Sequence, residues 1–381
     1  MREQFVITGA TGFLGREVLR RLVDRLPEAR FVLLVRRKEG ESAADRVRVL
    51  VEELWPSSEH AAVLDRLEVH PADLTLERFG LSQDAYASLA DGATRVIHSA
   101  ATVRFDHPLE TARRINVGGT QSVINLAHEA QRQGSLRSVT YIGTAFVAGT
   151  RTGLVREREL DAGQGFRNTY ERTKCEAEAL VRAHMDELPI VIARPSIIVG
   201  DSRTGITTSF KTLYWPLKVY AKHAWRTVPG RPDAVVDIVP VDFVADAVAH
   251  LALDERAVGR CAHLCAGPGG NATIRKIGEY ASAFFGLAPP RFFDPAFFLA
   301  VLRPLLYITV WGKRRRVLRN GRFYLPYFRM KTTYDTTHAD ELLGPAGIHA
   351  PKVTEYLEKL FRYCLESNWG KRPATLSREA A

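Results

Sequence analysis

In the stretch NTYERTK, residues 168–174, Tyr170 stands four positions before Lys174. On a helix the two side chains share one face, one turn apart. A phenol beside an ammonium is a candidate acid–base pair. A free tyrosine, with a pKa of about 10, exchanges protons poorly at neutral pH, and a lysine one turn away is expected to lower that value by favouring the phenolate. Spacing alone does not select this pair, because Tyr214 with Lys218 and Tyr327 with Lys331 repeat it. Context does. Tyr170 opens a helical pattern after an apolar run that ends in YIGTAFVAG, and that run offers a hydroxyl at Thr144. Two hydroxyl donors aimed at one carbonyl oxygen would stabilise the charge that develops there when the carbon is attacked. The other two pairs lie in irregular sequence and are read as incidental.

The elements that must position these residues follow from periodicity. Apolar runs at Phe5–Thr8, Phe31–Val35, Leu67–His70, Arg95–His98, Val139–Ile142 and Ile190–Ala193 alternate with amphipathic stretches at Leu14–Leu26, Ala43–Leu54, Arg113–Gln133 and Tyr170–Met185. Asn168 or Thr169 is the expected cap of the last. Further strands at Val235–Val239 and Ala262–Cys265 flank a helix at Phe243–Leu253. Such alternation predicts an α/β fold, a doubly wound parallel sheet of the Rossmann kind. Ligands of such sheets bind outside the carboxyl ends of the strands, where Thr144 and Tyr170 are expected to meet a nicotinamide. Residues 1–200 plus 235–266 are assigned to this nucleotide-binding domain. Residues 201–234 plus 267–381, rich in aromatics, prolines and cations, are assigned to a smaller, mainly helical C-terminal substrate domain, with a frayed tail from Gly370.

At the first strand–helix junction, FVITGATGFLGREVL spaces Gly9, Gly12 and Gly15 as G-x-x-G-x-x-G. The first glycine permits a tight turn, the second lets backbone approach a pyrophosphate, and the third lets the helix pack closely. Phosphates would then sit at a helix N-terminus, where free N–H groups favour anions. An NAD site usually places an acid at the end of the second strand. Here Arg36, Arg37 and Lys38 stand in that place, with Arg46 on the following helix to assist. Cations there suit a 2′-phosphate, so NADPH is the expected cofactor; a solvated charge cluster is the alternative.

A chain of 381 residues with 46% hydrophobic and 25% charged side chains can bury a sizeable core. Its net charge of +10 is local, since ten Lys/Arg and one acid fall between Arg291 and Lys331. The apolar run Phe297–Trp311 has fifteen residues and is broken by Arg303-Pro304, short of the roughly 20 that span a bilayer. Three readings of 292–331 stand side by side: a core helix lining a substrate pocket, docking of an anionic membrane surface through Lys313–Arg316, or docking of a substrate's phosphates or an acidic carrier. Nucleic acid is excluded as a partner, because no recognised nucleic-acid module accompanies the cations. No signal peptide is evident, and four cysteines without a paired or zinc spacing are read as reduced and structural, so a cytoplasmic setting is expected. No metal site is expected. His98 is read as a buried, hydrogen-bonded histidine, and Trp215 and Trp225 as shaping the substrate domain's core.

These motifs together resemble the extended short-chain dehydrogenase/reductase superfamily. TGATGFLG, PADLT, HSAATVRFD, NVGGT, YIGTAFVAG, YERTK and ARPSIIVG carry the likeness across most of the first 265 residues. Within it the chain is similar to the thioester reductase and fatty acyl-CoA reductase family, on LLVRRKEGESAADRVR, TAFV, DIVPVDFVADA and YDTTHADELLG. The resemblance implies a catalytic triad of Thr144, Tyr170 and Lys174. It implies cofactor contacts at Gly9, Thr11, Gly12, Phe13, Leu14, Gly15, Arg36 and Arg46, with Asp73 and Leu74 flanking the adenine. Ala100 and Ala101 would line the cofactor strand, Asn116 would support the site, and Pro195, Ser196 and Ile197 would contact the nicotinamide. The implied reaction is NADPH-dependent reduction of an acyl thioester, on CoA or acyl carrier protein, to aldehyde or alcohol. A ketone reductase, a sugar epimerase and a non-catalytic NADPH-sensing scaffold are the alternatives. Oligomeric state is not legible.

Overall fold

The structure, a computed structural model, describes residues 3–222, 227–302 and 324–372, together with 304, 308–309 and 311–312. Trp225, Lys313–Arg316 and the tail beyond Arg372 lie outside the described residues.

Seven strands form the main sheet: β1 (Gln4–Thr8), β2 (Arg30–Val35), β3 (Leu67–Pro71), β4 (Arg95–His98), β5 (Ser138–Ile142), β6 (Ile190–Pro195) and β7 (Cys261–Leu264). They lie in the order β7-β6-β5-β4-β1-β2-β3, every pairing parallel. Successive side chains enter opposite cores. Phe5, Ile7, Phe31, Leu33 and Val35 belong to one cluster, and Val6, Val32 and Leu34 to the other. Helices cover both faces, which is why these strands read as continuous apolar runs rather than alternating ones. The first face is closed by α1 (Phe13–Arg25), α2 (Ala43–Leu54) and, further along the chain, Val241–Leu251; the second by α3 (Gly119–Arg132) and α4 (Thr169–Arg182). Strand order reverses between β1 and β4, and that reversal opens a crevice at their carboxyl ends.

Two elements depart from the expected pattern for reasons of hydrogen bonding. The helix expected at Arg113–Gln133 starts at Leu109 and contains a π turn, Arg114–Gly118, before α3. The wide turn buries Asn116, which bonds two neighbouring segments. The strand expected at Val235–Val239 is broken into Val235–Val236 and Ile238–Pro240. Between them Asp237 turns inward and accepts the main-chain N–H groups of Ala266 and Gly267 at 2.9 and 3.1 Å.

A third cluster gathers Tyr214, Leu217, Tyr220, Ile277, Ala281, Tyr356, Leu360 and Phe361. Thr337–Leu343 packs elsewhere: its Ala339, Leu342 and Leu343 enter the first cluster, beside β7. The onset of the expected frayed tail is tied down, because Lys371 and Arg372 donate to the Ser367 carbonyl at 3.0 Å each.

Candidate functional site

The glycine loop is built by exclusion. Gly9 has φ of +75°, and a Cβ there would lie 2.7 Å from the Ala100 nitrogen. A Cβ at Gly15 would lie 2.1 Å from the Gly9 carbonyl oxygen, so α1 can approach the turn this closely only without a side chain. Gly12 caps α1, and neither a side-chain cap nor an acid occupies the helix's first turn. Its N–H groups therefore face a cradle shaped for an anion. Phe13 and Leu14 pack toward the first core, so what they can offer a phosphate is main chain. Arg46 donates to the Thr11 hydroxyl at 2.7 Å and to the Arg36 carbonyl, holding the glycine loop against the end of β2. Arg36, Arg37 and Lys38 are exposed beside it.

On the far side of β2, Asp73 accepts from the Thr75 N–H and hydroxyl at 2.9 and 2.8 Å. Partial burial works to raise its pKa, but the Thr75 bonds and the charges of Arg36 and Arg114 outweigh it and hold the carboxyl below its usual range. Leu74 presents its carbonyl to the Ser122 hydroxyl. The Ala100 N–H bonds the Thr8 hydroxyl, and Asn116 accepts from the Thr102 N–H at 2.8 Å while donating to the Thr173 hydroxyl at 2.9 Å. Asn116 thus fastens the chain around Ala100 and Ala101 to the middle of α4. His98, 2% exposed, is bonded by the hydroxyls of Thr8 and Thr120. Burial first, and the charge of Lys174 second, push its pKa down to about 3, as fits a buried structural imidazole.

The Tyr–Lys pair sits where α4 begins. Asn168 caps the helix through the Glu171 N–H at 3.0 Å. Lys174 is 3% exposed, donates to the Ile142 carbonyl at 2.8 Å, and lies 4.3 Å from the centre of the Tyr141 ring. Burial lowers its pKa to about 7, against the opposing charge of Glu178. Tyr170 differs from expectation. Burial raises its phenol to about 12, and only the Thr144 hydroxyl pulls it back. The lysine's ammonium is spent on a carbonyl and a ring face, so here it does not drive the phenol toward its anion. Thr144 caps the short turn Ala145–Ala148 at the end of β5, and its hydroxyl reaches the Pro195 carbonyl at 3.4 Å. Ser196 and Ile197 follow, their N–H groups bonded to the carbonyls of Leu264 and Asp237.

Phe146, two residues after Thr144, and Ile197 line a pocket open to solvent, whose other walls, Leu217, Val236 and Ile277 among them, are mostly apolar. Tyr327 lines it too. The Tyr327–Lys331 pairing is incidental as read, since Lys331 turns away to Asp233 at 3.0 Å. Tyr327 itself belongs to the site. Its hydroxyl donates to Glu171 and accepts from Asn168, both at 2.7 Å, and its ring stacks at 5.9 Å on Phe105, which packs 6.0 Å from Tyr170. A sequence signal for this role is lacking, because 157 positions separate Tyr170 from Tyr327. Trp215 stacks on Tyr324 at 5.0 Å. Among the described residues of the basic segment, Phe297, Val301, Ile308 and Trp311 are exposed, and no described helix is long and apolar enough to cross a membrane.

A seven-stranded doubly wound parallel sheet, with a glycine loop at the first crossover and a Tyr–Lys pair at the strands' carboxyl ends, defines the extended short-chain dehydrogenase/reductase fold. Within that class the chain belongs to the family described as male sterility protein, whose sequence profile matches residues 7–248. A fatty acyl-CoA reductase of Drosophila melanogaster, wat, is 29% identical over 283 residues, covering 65% of this chain and 53% of the relative. A glycine betaine reductase of Emericella nidulans, ATRR, is 26% identical over 98% of this chain and 29% of its own length. The chain thus spans about half or less of these curated relatives. The crystal structure of the terminal R domain from the myxalamid PKS-NRPS biosynthetic pathway superposes with a TM-score of 0.82 at 26% identity, covering 98% of this chain and 92% of that one.

Proposed function

We propose that this protein is an NADPH-dependent reductase of acyl thioesters, taking a long acyl chain from CoA or a carrier protein. The observation that carries the reading is the apolar pocket whose wall includes Phe146, two residues after Thr144, and Tyr327, which is linked through Phe105 to Tyr170. The names of the fatty acyl-CoA reductase and R-domain relatives support it. In this reading residues 201–234 and much of 267–372 form the substrate half.

The glycine loop and the N-terminus of α1 would hold the pyrophosphate, Asp73 the adenosine end, and Arg36 with Arg46 a 2′-phosphate. Bound there, the reduced nicotinamide supplies a hydride to the thioester carbonyl carbon. Thr144 and Tyr170 orient the carbonyl and stabilise its developing charge. A phenol held near 12 is protonated throughout the physiological range, so Tyr170 enters the reaction as a donor and gives its proton to the oxygen. The resulting hemithioacetal expels the thiol and leaves an aldehyde. Lys174 holds the end of β5 through the Ile142 carbonyl and keeps Tyr170's helix in register with Thr144.

The test is NADPH consumption with palmitoyl-CoA, counting thiol and identifying product, with shorter acyl-CoAs, loaded carrier protein and vesicles alongside. One NADPH per thiol gives the aldehyde, two the alcohol. Silence across that panel with NADPH still bound refutes the thioester reading and favours a ketone substrate. Tyr170→Phe should lose about 10²- to 10⁴-fold in turnover while binding NADPH normally; unchanged function in that variant would mean a scaffold. Arg36→Ala should raise the KM for NADPH at least about tenfold and leave that for NADH unchanged, reflecting the loss of a charged phosphate contact.

A further inference from the structure

We propose that His128, His184 and Glu187 form a binding site for one divalent transition-metal ion of the zinc class. The three residues come from two elements. His128 lies on α3, one turn before its end. The chain leaves α4 at Arg182 in tight turns: His184 N–H bonds the Val181 carbonyl, and the N–H groups of Glu187 and Leu188 bond the His184 carbonyl at 3.2 and 2.9 Å. Leu188, 2% exposed, anchors that turn in the second core. Glu187 is thereby folded back beside His184, and both reach the His128 ring.

The donor atoms form a nearly equilateral triangle. His128 Nε2 is 3.1 Å from His184 Nδ1, and Glu187 Oε2 lies 3.5 Å from the first nitrogen and 3.6 Å from the second. An ion with metal–nitrogen and metal–oxygen bonds of about 2.0–2.2 Å in tetrahedral geometry sets its ligands about 3.3–3.6 Å apart. The triangle therefore fits around such an ion without moving either helix. Two imidazoles and one carboxylate suit zinc, copper or nickel and suit magnesium or calcium poorly. All three side chains are partly exposed, at 31, 26 and 63%, which leaves a fourth position to water. The competing arrangement is an imidazole–imidazole hydrogen bond with a carboxylate alongside, which binds no ion. His184 lies ten residues beyond Lys174, about 15 Å at 1.5 Å per residue. An ion here clamps α3 to the exit of α4 and acts on stability, not on the reacting groups.

The experiment uses full-length protein, tag removed and chelator-treated, titrated with ZnCl2 by calorimetry and followed by thermal melting. One ion per chain and a raised Tm are expected, with His128→Ala and His184→Ala each weakening affinity at least tenfold and Glu187→Gln several-fold. CoCl2 should give the visible absorption of a four-coordinate site in the native chain only, and MgCl2 and CaCl2 should give no shift. Turnover of the chelator-treated enzyme should be the same in the His128→Ala/His184→Ala double variant as in the native chain. Native protein that binds ZnCl2 no better than the double variant overturns the proposal, whether both bind or neither does.

Discussion

Lys174 is the residue where burial and function pull in opposite directions. Its side chain is almost fully enclosed, and burial brings its pKa down to about 7 against the charge of Glu178. In the unfolded chain the same group keeps its proton to about 10.4. Between those values the unfolded state binds a proton that the folded state lacks, so stability rises with pH across the window. The slope is at most about 1.4 kcal/mol per pH unit. Cysteines raised by burial, such as Cys175 at about 11, oppose the trend once the thiols of the unfolded chain ionise, near pH 8.5. Denaturant melts at pH 7.0 and 8.0 should therefore show a more stable protein at the higher pH, and Lys174→Met should abolish the increase. The sequence revealed that this pair exists, because the Tyr–Lys spacing and the hydroxyl at Thr144 are local features. It misled on the phenol, because spacing says which face a lysine shares but not which carbonyl it bonds.

At the scale of elements, the N-terminus of α4 is held from the other half of the chain. The turn Leu325–Arg329 delivers Tyr327 to both the capping Asn168 and Glu171, a carboxylate with no exposure whose pKa is raised by burial against the pull of Arg167 and Tyr327. Through Phe105 the same ring is two contacts from Tyr170. Tyr327→Phe removes one donor to a buried carboxylate, at a cost of about 1–3 kcal/mol. It should also lower turnover by about tenfold to a hundredfold by loosening Tyr170, while NADPH affinity stays near that of the native chain. Equal losses in cofactor affinity and turnover would show that the residue only supports the fold. Regular elements were legible because their apolar periods are strong, Ala43–Leu54 to the residue. The π turn at Arg114–Gly118 and the break at Asp237 were not, since each is set by a side chain bonding a distant segment.

For the molecule as a whole, charge is handled in two contrasting ways. Arg194, with no exposure, is locked to Glu178 and also donates to the carbonyls of Glu157 and Glu159, tying β6, α4 and the loop after β5 together. Removing one member of a buried pair costs about 3–5 kcal/mol, so Arg194→Met should lower the denaturation midpoint markedly without altering substrate preference. The basic segment is the opposite case. Its exposed Phe297, Val301, Ile308 and Trp311 stand in the stretch that carries most of the surplus positive charge. Our proposal for it is attachment to an anionic bilayer surface. Vesicles with phosphatidylserine should sediment the protein at low salt and neutral vesicles should not, and Ile308→Asp with Trp311→Asp should release it. Composition revealed the segment's charge and suggested that it lines a pocket, to which Tyr324, Tyr327, Phe328 and Met330 do contribute; the opposite walls were not legible, because they include segments more than a hundred positions away.

The path of the chain also fixes an order of birth. The last strand of the main sheet is supplied by Cys261–Leu264, while the third cluster waits for Val353–Glu366, whose Tyr356, Leu360 and Phe361 form much of it. On a translating ribosome, the strands that cradle the nucleotide are all present roughly ninety residues before the helix that braces the cavity. A nascent chain can therefore close around its nucleotide while its apolar pocket is still open, which places a nicotinamide dinucleotide to act on the half-made chain as a folding ligand.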